Sequence, residues 1–184
     1  MSVLRAEKSR HPAWIVIAIL LCIAGPFIAI LTPVILAVTT YQYSSRITYV
    51  PLPNGFNYYL AAFVLTGVLL IFVYFISKKS LKITFAIVAT CLFLFLFYSG
   101  ASQYHYFDKN YIEIGSVLDK KQYSWSDVQE AVIVVDSAEF RSLFLTMNDS
   151  KEIEILLAGV VNSKAEMSIR NRLIENNVEI KYAD

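Results

Sequence analysis

Hydrophobic positions are distributed along this chain in two contrasting ways. The first hundred positions contain three long runs of apolar residues, at about 14–40, 56–77 and 83–101. Each run is close to or longer than the roughly 18 to 20 residues that a helix needs to cross about 30 Å of hydrocarbon. The pattern therefore predicts three transmembrane helices in a membrane domain, residues 1–101.

Beyond Tyr104 the apolar residues alternate with polar ones, which is typical of strands with one buried face. We predict strands at these positions: Ile112 to Ile114, Tyr123 to Trp125, Val132 to Val135, Phe140 to Met147 and Ile153 to Leu157. Polar turns at 136–139 and 148–151 separate the later strands, and alternation at Val178, Ile180 and Tyr182 indicates a short terminal strand. The second half is therefore an antiparallel meander.

The pattern changes to a helical period near residue 163. Ser163 and Glu166 have the spacing of a capping box, and Asn176-Asn177 suits a left-handed stop. Between these ends, three apolar residues recur at helical spacing: Ala165, Ile169 and Leu173. We expect one amphipathic helix to cover the sheet, which gives residues 102–184 an α+β fold.

Three features of this second half also carry a family resemblance. They are Tyr111-Ile112-Glu113-Ile114, the segment Tyr123-Ser124-Trp125-Ser126-Asp127-Val128 that leads into a hydrophobic strand, and the helix from Lys164 to Asn176. Together with five or six antiparallel strands, they resemble the pleckstrin-homology-like (PH-like) domains of many small bacterial membrane proteins. The resemblance implies a β-roll capped by a C-terminal helix that serves as a binding or scaffolding module. Some members with an outward-facing domain protect their host against peptide bacteriocins, so immunity or surface sensing is implied. The lipid-binding basic loops of eukaryotic relatives have a counterpart here only in Lys120-Lys121.

Charge divides the chain at the same boundary. Residues 1–101 hold seven basic residues and one acid, a net charge of +6, whereas residues 102–184 hold nine basic and fourteen acidic residues, a net charge of −5. Nucleic acids and anionic lipid headgroups are bound by clustered Lys and Arg. The acidic second half therefore argues against a nucleic-acid partner, and the lipid bilayer is expected as the partner of the first half.

The basic residues of the first half also predict an orientation. Six of the seven flank the N-terminal side of the first run or the connection between the second and third: Arg5, Lys8, Arg10, Lys78, Lys79 and Lys82. Only Arg46 lies in the connection 41–55. Because Lys and Arg are retained on the cytoplasmic side, we expect a multi-pass protein of the cytoplasmic membrane with its N-terminus inside and residues 102–184 outside.

Tyrosines provide a second indication of the same orientation. Eight of them follow the first run, begin the second or end the third: Tyr41, Tyr43, Tyr49, Tyr58, Tyr59, Tyr98, Tyr104 and Tyr106. Tyrosine is enriched where membrane meets water, so the set predicts an aromatic belt at the outer interface.

The first run raises two further expectations. Its uncharged stretch from His11 to Ser45 is too long for a signal-peptide core and lacks a clear Ala-x-Ala site, which favours a retained helix. Pro26 and Pro33 each remove a backbone donor and should kink or loosen that helix.

No residue pattern indicates a catalytic, cofactor or metal site. His11 and His105 fall on opposite sides of the predicted membrane, and the two cysteines, Cys22 and Cys91, lie in separate apolar runs. The remaining candidates are better explained as solvated edges, caps or turns: Asp127 with Glu130, Asp136 with Glu139, Glu152 with Glu154, and the sequon Asn148-Asp149-Ser150. For His105, an interfacial position is the plainer account, with pH sensing as the alternative.

The hypothesis from sequence is a non-enzymatic integral membrane protein that displays a PH-like module outside the cytoplasmic membrane for a protein or peptide partner, in bacteriocin immunity or surface sensing. The alternative is an accessory subunit of a membrane transporter, in which the first helix works within a larger complex.

Overall fold

The computed structural model describes residues 13–41, 45–135, 141–157 and 161–183. They form four α-helices: α1 (Ala13–Thr39), α2 (Pro53–Phe75), α3 (Lys79–Ala101) and α4 (Ser163–Glu175). They also form eight strands: β1 (Arg46–Pro51), β2 (Tyr104–Asp108), β3 (Tyr111–Gly115), β4 (Lys120–Ser124), β5 (Val128–Val135), β6 (Arg141–Met147), β7 (Glu152–Leu156) and β8 (Ile180–Ala183). The chain divides into two compact units, 1–32 with 56–100 and 33–55 with 101–184, referred to below as the helical unit and the sheet unit.

The first three helices coincide with the three predicted apolar runs, and each is long and apolar enough to span a membrane. α1 is continuous through Pro26 and Pro33, and α2 starts with Pro53 in its first turn, where a missing N–H costs no hydrogen bond. Most large apolar side chains of these helices are exposed, as expected for surfaces that face lipid.

Glycines bring α1 and α2 into close contact within the helical unit. A Cβ added at Gly25 would lie 2.4 Å from the Cβ of Phe63, and one added at Gly67 would lie 2.5 Å from the Sγ of Cys22. Both distances are shorter than van der Waals contact, so only glycine allows this separation. Small residues at helix crossings are the usual device for packing helices in membranes.

The sheet unit contains two four-stranded sheets among its described residues, in the orders β1-β2-β3-β4 and β7-β6-β5-β8. All neighbouring strands are antiparallel except β5 and β8, which are parallel. The predicted single meander is therefore two sheets, and the short terminal strand is present. Antiparallel sheets and a C-terminal helix confirm the coarse α+β prediction.

The connection 41–55, predicted as a loop, contains strand β1. β1 pairs with β2, so that Tyr49 lies opposite Tyr106 and Pro51 opposite Tyr104. This pairing joins segments more than fifty residues apart, and local periodicity carries no information about such a partner. Pro51 suits the position, because β1 is an edge strand and proline cannot donate to a ladder.

Trp125 starts a 3₁₀ turn, Trp125–Asp127, where a strand had been predicted. The turn directs the chain from the first sheet into the second. The indole ring is buried, and its N–H donates a hydrogen bond of 2.9 Å to the carbonyl of Asp108. The bond satisfies the indole N–H, so that the ring is buried in the apolar core without an unpaired donor.

Helix α4 covers the core formed by the inner faces of both sheets. Its buried residues are Ala165, Ile169 and Leu173, as the helical spacing predicts. The N-cap is Asn162, not Ser163: the Asn162 side chain accepts a hydrogen bond of 2.9 Å from the backbone N–H of Ala165. Asn177 has a φ of 60°, which confirms the left-handed stop.

Candidate binding sites of the sheet unit

A cluster of tyrosine rings covers one face of the first sheet. Tyr104 and Tyr106 alternate along β2, and Tyr49 on β1 lies on the same face. All three are buried, with Tyr41 and Tyr111 packed against them. The Tyr41 ring lies 4.8 Å from the Tyr49 ring and 4.9 Å from the Tyr104 ring, which are ordinary distances for interacting aromatic rings.

This cluster corrects the aromatic-belt prediction for these residues. A ring that is buried among other rings does not lie among lipid headgroups, and Tyr49, Tyr104 and Tyr106 are each less than 5% exposed. Tyr59 is likewise buried, within the helical unit, whereas Tyr98 is largely exposed. Tyr43 lies outside the described residues.

Two buried carboxylates lie beneath the tyrosine cluster, and both have hydrogen-bond partners. The Tyr104 hydroxyl donates a bond of 2.6 Å to Glu113, and the Lys120 ammonium lies 3.0 Å from the same carboxylate oxygen. Asp108 accepts hydrogen bonds from the Ser45 hydroxyl, and from the backbone N–H of Asn110 at 3.0 Å. Buried carboxylates are costly without such partners, so these contacts explain how the acids are tolerated.

Two tyrosines of this face, Tyr104 and Tyr106, remain neutral hydrogen-bond donors. Burial, and the hydrogen bond to Glu113, raise the pKa of Tyr104 well above its usual range. Burial and the Asp108 charge raise the pKa of Tyr106 in the same direction. A phenol with a raised pKa is a poor base and a poor nucleophile at neutral pH, so the cluster has the chemistry of a packed polar network.

An open cavity of about 330 Å³ borders this network. Its lining includes Tyr41, Tyr111, Glu113 and Lys120. Because the ammonium of Lys120 already pairs with Glu113, the cavity has little unbalanced charge to attract an ion. The tyrosine face is therefore better explained by stability than by ligand binding.

A second cavity, of about 540 Å³, has a different character. It lies between β1, the turn after β2 and helix α4, and it is referred to below as the basic cleft. Four of its lining residues are basic: Arg46, Lys109, Lys164 and Arg172. The lining contains one acid, Glu175, and polar side chains of α4 complete it: Asn162, Ser168 and Asn171. The cleft therefore combines positive charge with hydrogen-bonding groups.

The two arginines of the basic cleft are held in place by existing contacts. The guanidinium of Arg46 donates to the carbonyls of Ala37 and Tyr41 at the C-terminal end of α1, where positive charge is favourable. Arg172 pairs with Glu175 at 2.8 Å, one turn further along α4. These contacts position the arginines and partly neutralise one of them.

The two lysines of the basic cleft have exposed side chains and no ion pair within the part of the chain that the structure describes. Lys109 lies in the turn between β2 and β3, and its backbone N–H donates a bond of 3.0 Å to the carbonyl of Ser45. Lys164 lies in the first turn of α4, next to the Asn162 cap. Both backbones are fixed, and both ammonium groups are available to an anion.

His105 is buried on the opposite face of β2 from the tyrosines. It lies opposite Ile114 of β3 and Val50 of β1, and it is 7% exposed. Burial, with a smaller contribution from the Lys151 charge, lowers its pKa to about 4. An interfacial position is therefore wrong: His105 is a core residue that is neutral at physiological pH.

Most of the other sequence candidates lie within the described residues, and local contacts or exposure explain them. Asp127 caps the 3₁₀ turn by accepting a bond of 2.7 Å from the Ser124 N–H, and Glu130 pairs with Lys181 at 2.7 Å. Glu152 and Glu154 are exposed on β7, as expected for a solvated strand face. His11, Asp136 and Glu139 lie outside the described residues.

The predicted turn and the two adjacent lysines are also explained by local contacts. The sequon Asn148-Asp149-Ser150 forms a turn in which Ser150 has a φ of 61°. Lys121 lies 3.4 Å from Asp149, while Lys120 pairs with Glu113. Across the four described ranges, no group of three His, Cys, Asp or Glu side chains is arranged to hold a metal ion.

Sequence reasoning did not find the basic cleft. In the sequence, Arg46 bears only on the predicted membrane orientation. Lys109, Lys164 and Arg172 belong to a half of the chain whose net charge is negative. One local indication was available, since Lys164, Ser168 and Arg172 recur at i, i+4 and i+8 and so share a helix face. Their two partners come from β1 and the turn after β2, and only the fold brings those near α4.

Comparison with models of known protein families, with curated proteins and with solved structures gives no match, so the two sites are interpreted from their own geometry and charge.

Proposed function

We propose that this chain is a non-enzymatic integral membrane protein that displays residues 41–55 and 102–184 of its sheet unit outside the cytoplasmic membrane as a binding module for a protein or peptide partner. The three long apolar helices support membrane anchoring. The excess of Lys and Arg at the predicted cytoplasmic ends supports the outward orientation of the sheet unit. The two mainly antiparallel sheets and the helix α4 that covers their core support the PH-like resemblance.

The observation that carries the proposal is the basic cleft. It is an open depression on a unit that has its own buried core, and it presents two lysines that make no ion pair among the described residues, beside hydrogen-bonding side chains. A depression of this kind can receive several residues of an extended partner without any rearrangement of the core. Bacteriocin immunity and surface sensing both need such capture at the outer face.

The experiment is site-specific photocrosslinking in intact cells that express the full chain. A benzoylphenylalanine is placed at Ser168, which lines the basic cleft, or at Met167, which is exposed on α4 but does not line it. The two positions are consecutive, so expression and folding are closely matched. We expect a crosslinked product from position 168 that is absent from position 167, with a secreted or surface protein or peptide identified by mass spectrometry.

Two results would overturn the proposal. The absence of any crosslink at position 168 would show that the cleft holds no partner under the conditions of the experiment. Crosslinks only to cytoplasmic proteins would contradict the outward orientation. A transporter subunit that co-purifies with the chain whether or not position 168 carries the crosslinker would instead support the accessory-subunit alternative.

A further inference from the structure

The basic cleft concentrates positive charge on a unit that is acidic as a whole. Residues 33–55 and 101–184 contain ten basic and fourteen acidic side chains, a net charge of −4. The cleft lining has the opposite balance, with four basic residues and one acid. Charges are screened beyond roughly 8 Å at physiological ionic strength, so a ligand inside the cleft responds to the lining and not to the distant acids.

The basic residues come from separate parts of the chain. Arg46 belongs to β1, Lys109 to the turn after β2, and Lys164 and Arg172 to α4. Burial of Ala165, Ile169 and Leu173 in the core fixes the rotation of α4, which leaves Lys164 and Arg172 on the cleft side. Core packing thereby presents positive side chains from several elements to one ligand.

We propose that the basic cleft binds an acidic segment of the partner, a stretch of peptide rich in Asp or Glu side chains. This inference rests on the proposed function, because it names the chemistry of the partner for the same site. Lys109 and Lys164 pair with the carboxylates, and Arg46 adds a third positive charge. The Asn162 Oδ1 caps α4 and the Ser168 hydroxyl donates to the Lys164 carbonyl, so the Asn162 NH₂ group, the Ser168 oxygen as an acceptor and the Asn171 amide are left to bond the backbone of the segment.

An acidic peptide fits this cleft better than an anionic membrane surface does. A bilayer is flat and would meet a whole face of a unit whose net charge is −4, which adds repulsion to every approach. A narrow peptide enters the depression and meets the basic lining alone. The volume of about 540 Å³ also exceeds what one phosphate or one carboxylate needs.

The test uses the full chain in nanodiscs of phosphatidylcholine, a zwitterionic lipid. The probe is a fluorescein-labelled hexaglutamate peptide, followed by fluorescence anisotropy. The cleft variant is Lys109→Gln with Lys164→Gln. The matched control is Lys121→Gln with Lys181→Gln, which removes the same charge from two lysines outside the cleft. Vesicles that contain phosphatidylglycerol are a second probe.

We expect the wild type and the control to bind hexaglutamate with affinities within about twofold of each other, and the cleft variant to bind about tenfold more weakly. A tenfold loss corresponds to about 1.4 kcal/mol, which is a reasonable total for two exposed charge contacts. Binding should also weaken as salt is raised. Circular dichroism of both variants establishes that the fold is kept.

Three results would overturn the inference. Equal weakening in both variants would mean that only net charge matters. Binding of anionic vesicles that depends on the cleft, without binding of hexaglutamate, would assign the cleft to lipid. Absence of hexaglutamate binding, combined with a crosslinked partner at position 168, would refute the acidic segment while leaving the proposed function intact.

Discussion

Protonation of His105 should destabilise the sheet unit at mildly acidic pH. The folded pKa of this histidine is about 4, because burial disfavours the imidazolium and the Lys151 charge opposes it. The unfolded value is about 6.5. Between these values the unfolded chain binds a proton that the folded chain does not, so stability is complete above pH 6.5 and is lost as the pH falls toward 4.

The size of the effect follows from the two pKa values. The full difference corresponds to about 3 kcal/mol, and the part lost at pH 5 is about 2 kcal/mol. His105→Leu removes the titrating group and suits a position between Val50 and Ile114. Lowering the pH from 7.5 to 5 reduces the free energy of unfolding of both chains. We expect this reduction to be about 2 kcal/mol smaller in the variant than in the wild type.

The assay is urea unfolding in mild detergent, followed by tryptophan fluorescence in a Trp14→Phe background. Trp125 is then the only tryptophan, and it reports on the sheet unit because it lies in the core. Other groups titrate in the same range, so the comparison is between the pH profiles of the two chains. Parallel profiles would refute the reasoning, since they would mean that His105 is protonated in the folded state at pH 5.

Three further substitutions test the packing. Tyr104→Phe removes a buried hydrogen bond to the Glu113 carboxylate and should lower the free energy of unfolding in the same assay by about 1.5 to 3 kcal/mol. An unchanged free energy of unfolding would mean that this bond contributes nothing to stability. Gly67→Val places side-chain atoms against Cys22 and should destabilise the helical unit by about 1 to 3 kcal/mol, measured by circular dichroism in mixed micelles. A variant as stable as the wild type would contradict the close contact between α1 and α2 at Gly67. Ile169→Ala should cost about 2 to 5 kcal/mol in urea, against less than about 0.5 kcal/mol for the exposed Met167→Ala; equal losses would contradict the assignment of the core face.

Local sequence patterns predicted the helices and strands in which each face has the same kind of surroundings from one end to the other. The three apolar runs correspond to α1, α2 and α3, because each of these helices is apolar along nearly its whole length. Alternation predicted β6 and β7, since one face of each is mostly buried and the other is half-buried in β6 and exposed in β7. The spacing of Ala165, Ile169 and Leu173 predicted the buried face of α4 for the same reason.

Features that depend on distant partners were not predictable in this way. Tyr49, Tyr104 and Tyr106 have the composition of an aromatic belt, and only the pairing of β1 with β2 shows that they pack on one another. The basic cleft has the same difficulty, because Arg46 and Lys164 are 118 positions apart. The close contact of α1 with α2 also depends on which glycines meet across the two helices.

The central claim is that the sheet unit lies outside the cell, and labelling of single cysteines tests it most directly. In a background with Cys22→Ala and Cys91→Ala, Leu118→Cys places a thiol on a turn of the sheet unit where the native side chain is 95% exposed. Ser80→Cys places one in the first turn of α3, next to the short connection from α2. We predict that a membrane-impermeant maleimide labels the Leu118→Cys chain in intact spheroplasts and the Ser80→Cys chain only after lysis. Labelling of the Ser80→Cys chain in intact spheroplasts, with the Leu118→Cys chain protected until lysis, would contradict the account.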